Sequence, residues 1–173
     1  MPVPYRKTPR AAEIGHAAYL DILWKTSERA FYGGLMVIDG KGQPIEFVHN
    51  RVDAPSGMLW PEEKVRSIGT ALLAHSLFDA CRCDTDLLIC LPSLGSSEYC
   101  KTEISPSIPF VQAVPEQHGA PVEWEWINSP PPQGMRASIL AQELIRRGFI
   151  IEPFDRLNHA LKILYPQLNS DGV

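Results

Sequence analysis

The chain has 173 residues, of which 45% are hydrophobic and 21% are charged, and this composition excludes a disordered protein. With 16 Lys and Arg against 20 Asp and Glu, the formal net charge is −4, which excludes the strongly basic surface typical of an autonomous nucleic-acid binder. The length predicts one domain.

The first ten residues are rich in Pro and carry three basic side chains, Arg6, Lys7 and Arg10. We expect residues 1–10 to form a flexible basic arm ahead of a single α/β domain over 11–173. The three basic side chains are candidates for contact with an acidic partner or a phosphate backbone.

Three strands are predicted next, at 17–24, 31–38 and 45–52. Residues 11–24 also fit a helix opened by Pro9, but we favour a strand at 17–24. The second and third strands should pair antiparallel across Asp39-Gly40, because Asp-Gly between two apolar runs is a strong hairpin signal.

A long helix should begin near Pro61 and end near Ala80. Val65, Ile68 and Leu72 have the spacing of an apolar helix face. Gly69 interrupts this pattern and should cost about 1 kcal/mol relative to Ala. The apolar run at 86–91 is typical of a strand buried on both faces.

The C-terminal part should hold a hairpin of 108–114 with 122–127, in which Trp residues alternate with Glu. Pro109 and Pro115 favour the edge of the sheet for the first of these strands. A Pro-rich break at 129–134 precedes helices at about 136–147 and from Pro153 onward.

Three strands followed by a helix and a buried strand resemble, in their order over roughly residues 17–91, the ribonuclease H-like fold of endonuclease V, resolvases and Argonaute nuclease domains. The resemblance implies an α/β fold with a largely antiparallel sheet and packed helices, but topology does not give function. Residues 31–47 and 152–156 also resemble stretches of uncharacterised bacterial proteins, which imply no function.

Three carboxylates are candidates for a metal-dependent nuclease site: Asp21 on the first strand, Glu46 on the third, and Glu62 at the start of the helix. In the fold that the chain resembles, the first acid lies on the first strand. The buried strand, however, ends in Leu91-Pro92 and has no acid where those nucleases keep one. We therefore favour solvated or capping carboxylates, with no catalytic residues, and keep the nuclease as the alternative.

The cysteines provide a weaker candidate site, in which zinc would be held by Cys81, Cys83, Cys100 and His75. The C-x-C spacing is tight for a tetrahedral site, so we expect free thiols, no zinc and no cofactor. A small-molecule or zinc-binding domain is the third hypothesis.

Aromatic and Pro-rich segments suggest a docking surface, because Trp is enriched in binding hot spots. The candidate partner-binding residues, besides those of the basic arm, are Trp124, Trp126, Pro130, Pro131 and Pro132. No phosphate loop, nucleophile elbow or zinc-protease motif occurs. We therefore expect a non-catalytic subunit or adaptor of a larger bacterial assembly, with a protein partner and with nucleic acid reached only through the complex. The absence of a signal peptide or a long apolar run predicts a cytoplasmic protein without a membrane span.

Overall fold

The computed structural model describes residues 14–95, 102, 108–114, 122–127 and 129–169, so the predicted arm 1–10 and Cys100 lie outside the described residues. The strands are β1 His16–Lys25, β2 Ala30–Asp39, β3 Pro44–Asp53, β4 Leu87–Cys90, β5 Phe110–Val114 and β6 Glu123–Trp126. The helices are α1 Glu62–Ala80, α2 Pro92–Gly95, α3 Arg136–Arg146 and α4 Glu152–Leu164, followed by a 3-10 turn at Pro166–Asn169.

The strands form one six-stranded sheet in the order β3-β2-β1-β4-β5-β6. β1, β2 and β3 are antiparallel neighbours, whereas β4 is parallel to both β1 and β5. A helix connects the antiparallel part to β4, as a parallel crossover requires. The predicted mixed α/β fold and its resemblance in strand order to the ribonuclease H-like fold are thus confirmed.

The hairpin between β2 and β3 forms at the predicted Asp-Gly turn. Asp39 is buried, and its Oδ1 accepts hydrogen bonds from the backbone N–H groups of Lys41, at 2.8 Å, and Gln43, at 2.9 Å. This local satisfaction of turn amides explains why Asp suits the first position of the turn.

The two faces of the sheet carry separate apolar cores. Alternate residues of β1 point to opposite faces, so Ala17 and Tyr19 pack with α3 and α4, whereas Ala18 and Leu20 pack with α1. We call these the α4 face and the α1 face. Position 21 therefore belongs to the α4 face.

Helix α1 has the predicted bounds, but only Val65 of the three spaced apolar residues is buried, since Ile68 is half-buried and Leu72 is exposed. Val65, Gly69 and Leu73 are buried, whereas Leu72 is 50% exposed. A side chain at position 69 would collide with the Phe31 ring, because an added Cβ would lie 2.0 Å from Phe31 Cε2. The glycine that interrupts the apolar pattern therefore lets α1 approach β2 closely at Phe31.

Strand β5 is not at the edge that its flanking prolines predicted. It lies between β4 and β6, and β6 is the edge strand. Pro109 comes just before β5 and contributes only its carbonyl to the sheet hydrogen bonds: the oxygen accepts from the N–H of Leu88 at 2.9 Å. A proline placed just before a strand removes no ladder donor from it.

The last helix, α4, covers the α4 face with Phe154, Leu157 and Leu161, all of which are buried. Leu164, the last residue of α4, is 44% exposed. Residues 149–151, between α3 and α4, form a turn.

Candidate active site around Asp21

Asp21 lies on β1, the strand that joins the antiparallel and parallel parts of the sheet. The last pair between β1 and β4 is Leu20 with Cys90, so Asp21 stands one residue beyond the carboxyl end of β4. Ligands of open α/β sheets bind in crevices at the carboxyl ends of parallel strands. The fold therefore places a carboxylate at a position typical of binding sites.

Asp21 is only 4% exposed. Its neighbours on the same face of β1 are apolar: Tyr19 is buried, and Leu23 packs against the core. Burial raises the pKa of Asp21, while hydrogen bonds from the Asn158 side chain and the Ile22 backbone N–H act in the opposite direction. An ionisable group that is buried at a net cost is a candidate for a functional group.

The other buried polar residues among those described have clear structural roles. Asp39 holds the β2–β3 turn through two backbone amides. Lys25 donates a hydrogen bond to the carbonyl of Gln167 and so ties the 3-10 turn to β1. Asp21, in contrast, accepts hydrogen bonds from the side chain of Asn158 on α4 and from the N–H of the next residue, Ile22.

A row of three residues runs across the sheet at this level. Asp21 pairs with Gly34 on β2, and Gly34 pairs with His49 on β3. Gly34 leaves room for the Phe47 ring, because an added Cβ would lie 3.0 Å from Phe47 Cε2; Leu157 of α4 lies over the same position at 3.4 Å. His49 Nδ1 lies 3.0 Å from the Tyr165 hydroxyl, so the row continues into the segment that follows α4.

The structure does not bring the other two candidate carboxylates to Asp21. Glu46 pairs across the sheet with Val37 on the α1 face, and its carboxylate accepts hydrogen bonds from the N–H groups of Arg82 and Cys83. Glu62 is in the first turn of α1, where it lies 3.8 Å from Arg29. Both therefore belong to the opposite side of the sheet from Asp21.

A metal site is not formed by the residues that the structure describes, since no three His, Cys, Asp or Glu side chains among them come together to hold an ion. In particular, His75 is exposed on α1, while Cys81 and Cys83 follow the end of that helix and contact Glu46 and His16, respectively. The donor set within the described ranges therefore does not fit the pair of cations of a two-metal nuclease.

The candidate docking residues occupy the edge strand and the segment after it. Trp124 and Trp126 are half-buried, pack against the core of the α4 face and contact each other edge-on, with ring centroids 5.6 Å apart. Pro130 and Pro132 are exposed, and Pro131 is half-buried. The core contacts explain why both Trp side chains point to one face; partner binding at these residues stays a prediction.

Asn158 is the neighbour of Asp21 that the sequence did not single out. It lies on α4 four residues after Phe154 and three before Leu161, both of which are buried. A polar residue on the buried stripe of an amphipathic helix is a signal that could have identified it.

The topology defines the class of this protein as a mixed α/β domain of ribonuclease H-like strand order. No protein-family model matches the chain, and no curated protein matches its sequence.

Solved structures of similar fold include three endonuclease V structures. The one from Streptomyces avermitilis is 14% identical, with a TM-score of 0.43, 59% of this chain covered and 46% of that one. The one from Bacillus subtilis is 13% identical, with a TM-score of 0.41 and coverages of 61% and 47%. The one from Ciona intestinalis, in complex with DNA containing an inosine, is 5% identical, with a TM-score of 0.41 and coverages of 79% and 56%. This chain thus spans about half the length of the structures it resembles.

The comparison corrects our functional prediction. We predicted a non-catalytic subunit or adaptor, but these similar structures are nucleases, so the prediction was wrong.

Among the residues that the structure describes, no helix is long and apolar enough to cross a membrane.

Proposed function

We propose that this chain is a divergent nuclease of ribonuclease H-like fold that hydrolyses phosphodiester bonds of nucleic acid, with Asp21 as its central carboxylate. The observation that carries the proposal is the position of Asp21 one residue beyond the carboxyl end of β4, where it is buried among apolar neighbours on its face of β1 and burial raises its pKa. Natural proteins keep such locally unfavourable residues mainly where function requires them.

The chemistry expected of Asp21 is that of a proton acceptor. A carboxylate with a raised pKa is a better base for water than an ordinary one, because its proton affinity is closer to that needed at the working pH. The water oxygen would attack phosphorus, the phosphorus–oxygen bond to the leaving group would break, and the leaving oxygen would take up a proton. Asn158 would hold the carboxylate in place through its hydrogen bond.

The role proposed for Asp21 does not depend on a bound cation, and the need for one is left to the assay. In related chemistry cations clamp the attacked phosphate, but the described residues do not supply the ligand set, so the role of Asp21 is derived without them. The assay is therefore run with Mg²⁺, with Mn²⁺ and with a chelator, so that a requirement for a cation is measured directly.

Cleavage of labelled single-stranded and double-stranded DNA, RNA and inosine-containing DNA tests the proposal. The inosine substrate is included because the Ciona intestinalis endonuclease V structure contains such DNA. The decisive variant is Asp21→Asn, and the matched control is Asp155→Asn, the same change at an exposed position of α4. Loss of a general base costs about 100-fold to 10,000-fold in rate.

We expect cleavage by the wild type, at least a roughly 100-fold loss in Asp21→Asn, and wild-type rates in Asp155→Asn. Circular dichroism and thermal melts of both variants show whether the fold is retained. Absence of cleavage by the wild type on every substrate, or an undiminished rate in folded Asp21→Asn, would overturn the proposal.

A further inference from the structure

Two cysteines just after α1 lie in contrasting surroundings. Cys81 and Cys83 are both half-buried, whereas Cys90 on β4 is fully buried. Reagents from solvent can therefore reach the first two but not the third. Their different neighbours decide which of the two is the better nucleophile.

Cys83 lies against a histidine from another element of the fold. Its Sγ is 3.4 Å from Nδ1 of His16, the first residue of β1. The same Nδ1 lies 3.2 Å from the backbone carbonyl oxygen of Asp84. The Cys83 sulfur is itself 3.6 Å from that carbonyl oxygen. Once the thiol proton has moved to Nδ1, the ring N–H lies within donating distance of both the thiolate sulfur and the carbonyl, which stabilises the ion pair.

The backbone of His16 is fixed by a reciprocal pair of hydrogen bonds. Its N–H donates to Asp86 Oδ2 at 2.9 Å, and its carbonyl accepts from the N–H of Asp86, also at 2.9 Å. Asp86 in turn lies 3.7 Å from Arg136 of α3. The imidazole is therefore presented to Cys83 from the fixed start of an interior strand, which reduces the entropy cost of bringing base and thiol together.

Cys81 has the opposite environment. Its thiol donates to Glu46 Oε2, with the sulfur 3.4 Å from that oxygen, and to the carbonyl of Cys83. Burial raises the pKa of Cys81 to about 11, and the neighbouring Glu46 carboxylate acts in the same direction. The carboxylate is held in place by the N–H groups of Arg82 and Cys83, so this effect persists. Cys81 therefore remains a neutral thiol near pH 7.

We infer that Cys83, paired with His16, is a reactive thiol site that takes low-molecular-weight disulfides, while Cys81 two residues away stays unreactive. In the exchange, the Cys83 sulfur attacks one sulfur of the reagent, a new disulfide forms between Cys83 and that sulfur, and the reagent's own disulfide breaks. The Cys83 proton passes to His16 and then to the departing thiolate, so one small thiol is released for each adduct. The site is independent of the proposed nuclease activity, since it lies on other residues.

The inference is tested by partial reaction with the aromatic disulfide dithiobis(nitrobenzoate) at pH 7. The protein carries Cys100→Ser, because Cys100 lies outside the described residues and would also react. Free thiols are then blocked with a maleimide, and the protein is digested with trypsin without reduction. Cleavage after Arg82 separates the two cysteines into different peptides, so mass spectrometry measures each adduct separately. This comparison is made within one otherwise unaltered molecule.

We expect Cys83 to react roughly tenfold faster than Cys81, or more. His16→Gln should slow Cys83 by roughly tenfold, whereas His159→Gln, a matched change at an exposed position of α4, should leave the rate unchanged. Equal or faster reaction of Cys81, or an unchanged Cys83 rate in folded His16→Gln, would overturn the inference.

Discussion

The contact between Gly69 and Phe31 yields a prediction whose sign is opposite to that of helix propensity. In a solvent-exposed helix interior, Gly→Ala stabilises by about 1 kcal/mol. Here an added Cβ would lie 2.0 Å from Phe31 Cε2 and 2.5 Å from Cδ2 and Cζ. The ring cannot simply rotate away, because Phe31 is buried and packs against Trp24, with ring centroids 4.5 Å apart.

The magnitude follows from the two opposing contributions. Forcing an extra methyl group into a packed core costs about 1–3 kcal/mol, and the severity of this overlap places the cost near the upper end. After subtraction of the propensity gain of about 1 kcal/mol, Gly69→Ala should lower the free energy of unfolding by about 2 kcal/mol. In a chain of this size, that corresponds to a fall in Tm of roughly 4–8 °C.

Urea unfolding of four proteins isolates the contact: the wild type, Gly69→Ala, Phe31→Leu and the double variant. Because leucine leaves the space that the ring occupied, Gly69→Ala should be less harmful in the Phe31→Leu background, with a coupling free energy of at least about 1 kcal/mol. If Gly69→Ala alone is more stable than the wild type, or if the two changes are additive, position 69 does not form a tight contact with Phe31.

Three further predictions concern stability. Burial holds the pKa of Asp21 above its ordinary value of 3.8, so the stability contributed by its protonated form is complete below that value and is lost as the pH rises through the folded-state pKa. Asp21→Asn should remove this pH dependence and be more stable than the wild type at pH 7. Urea unfolding over a pH series would contradict this if the free energy of unfolding changed with pH equally in both proteins. Asp39→Ala should cost about 1–3 kcal/mol in urea unfolding, because two turn amides lose their acceptor; a loss below about 0.5 kcal/mol would refute the structural role of Asp39. Leu157→Ala should cost about 2–5 kcal/mol by the same measurement, since the side chain is fully buried over Gly34, and a near-neutral effect would show that α4 does not seal this face.

Local sequence patterns were sufficient for the order and bounds of most elements. The Asp39-Gly40 turn is encoded within a few residues, because the Asp side chain bonds to amides two and four positions ahead. The same holds for α1, whose start is marked by Pro61 and two acidic residues. These interactions are short-range, so the sequence alone determined them, and from their order followed the resemblance to the ribonuclease H-like fold.

Tertiary structure decided which side chains meet. The apolar spacing of α1 could not show which of its residues are buried deepest, because the close contact of Gly69 is with Phe31, which lies on β2. Sheet order likewise decided that β5 is internal, since parallel pairing with β4 depends on residues 20 or more positions away.

The candidate site shows the same division. Sequence position identified Asp21 as a carboxylate on the first strand, but it grouped Asp21 with Glu46 and Glu62, which the fold places on the other side of the sheet. Asn158, whose side chain hydrogen-bonds to Asp21, lies 137 positions further along the chain. Strand periodicity assigns a side chain to a face only relative to its own strand. Only the packing of helices on each face determines which distant group completes the site.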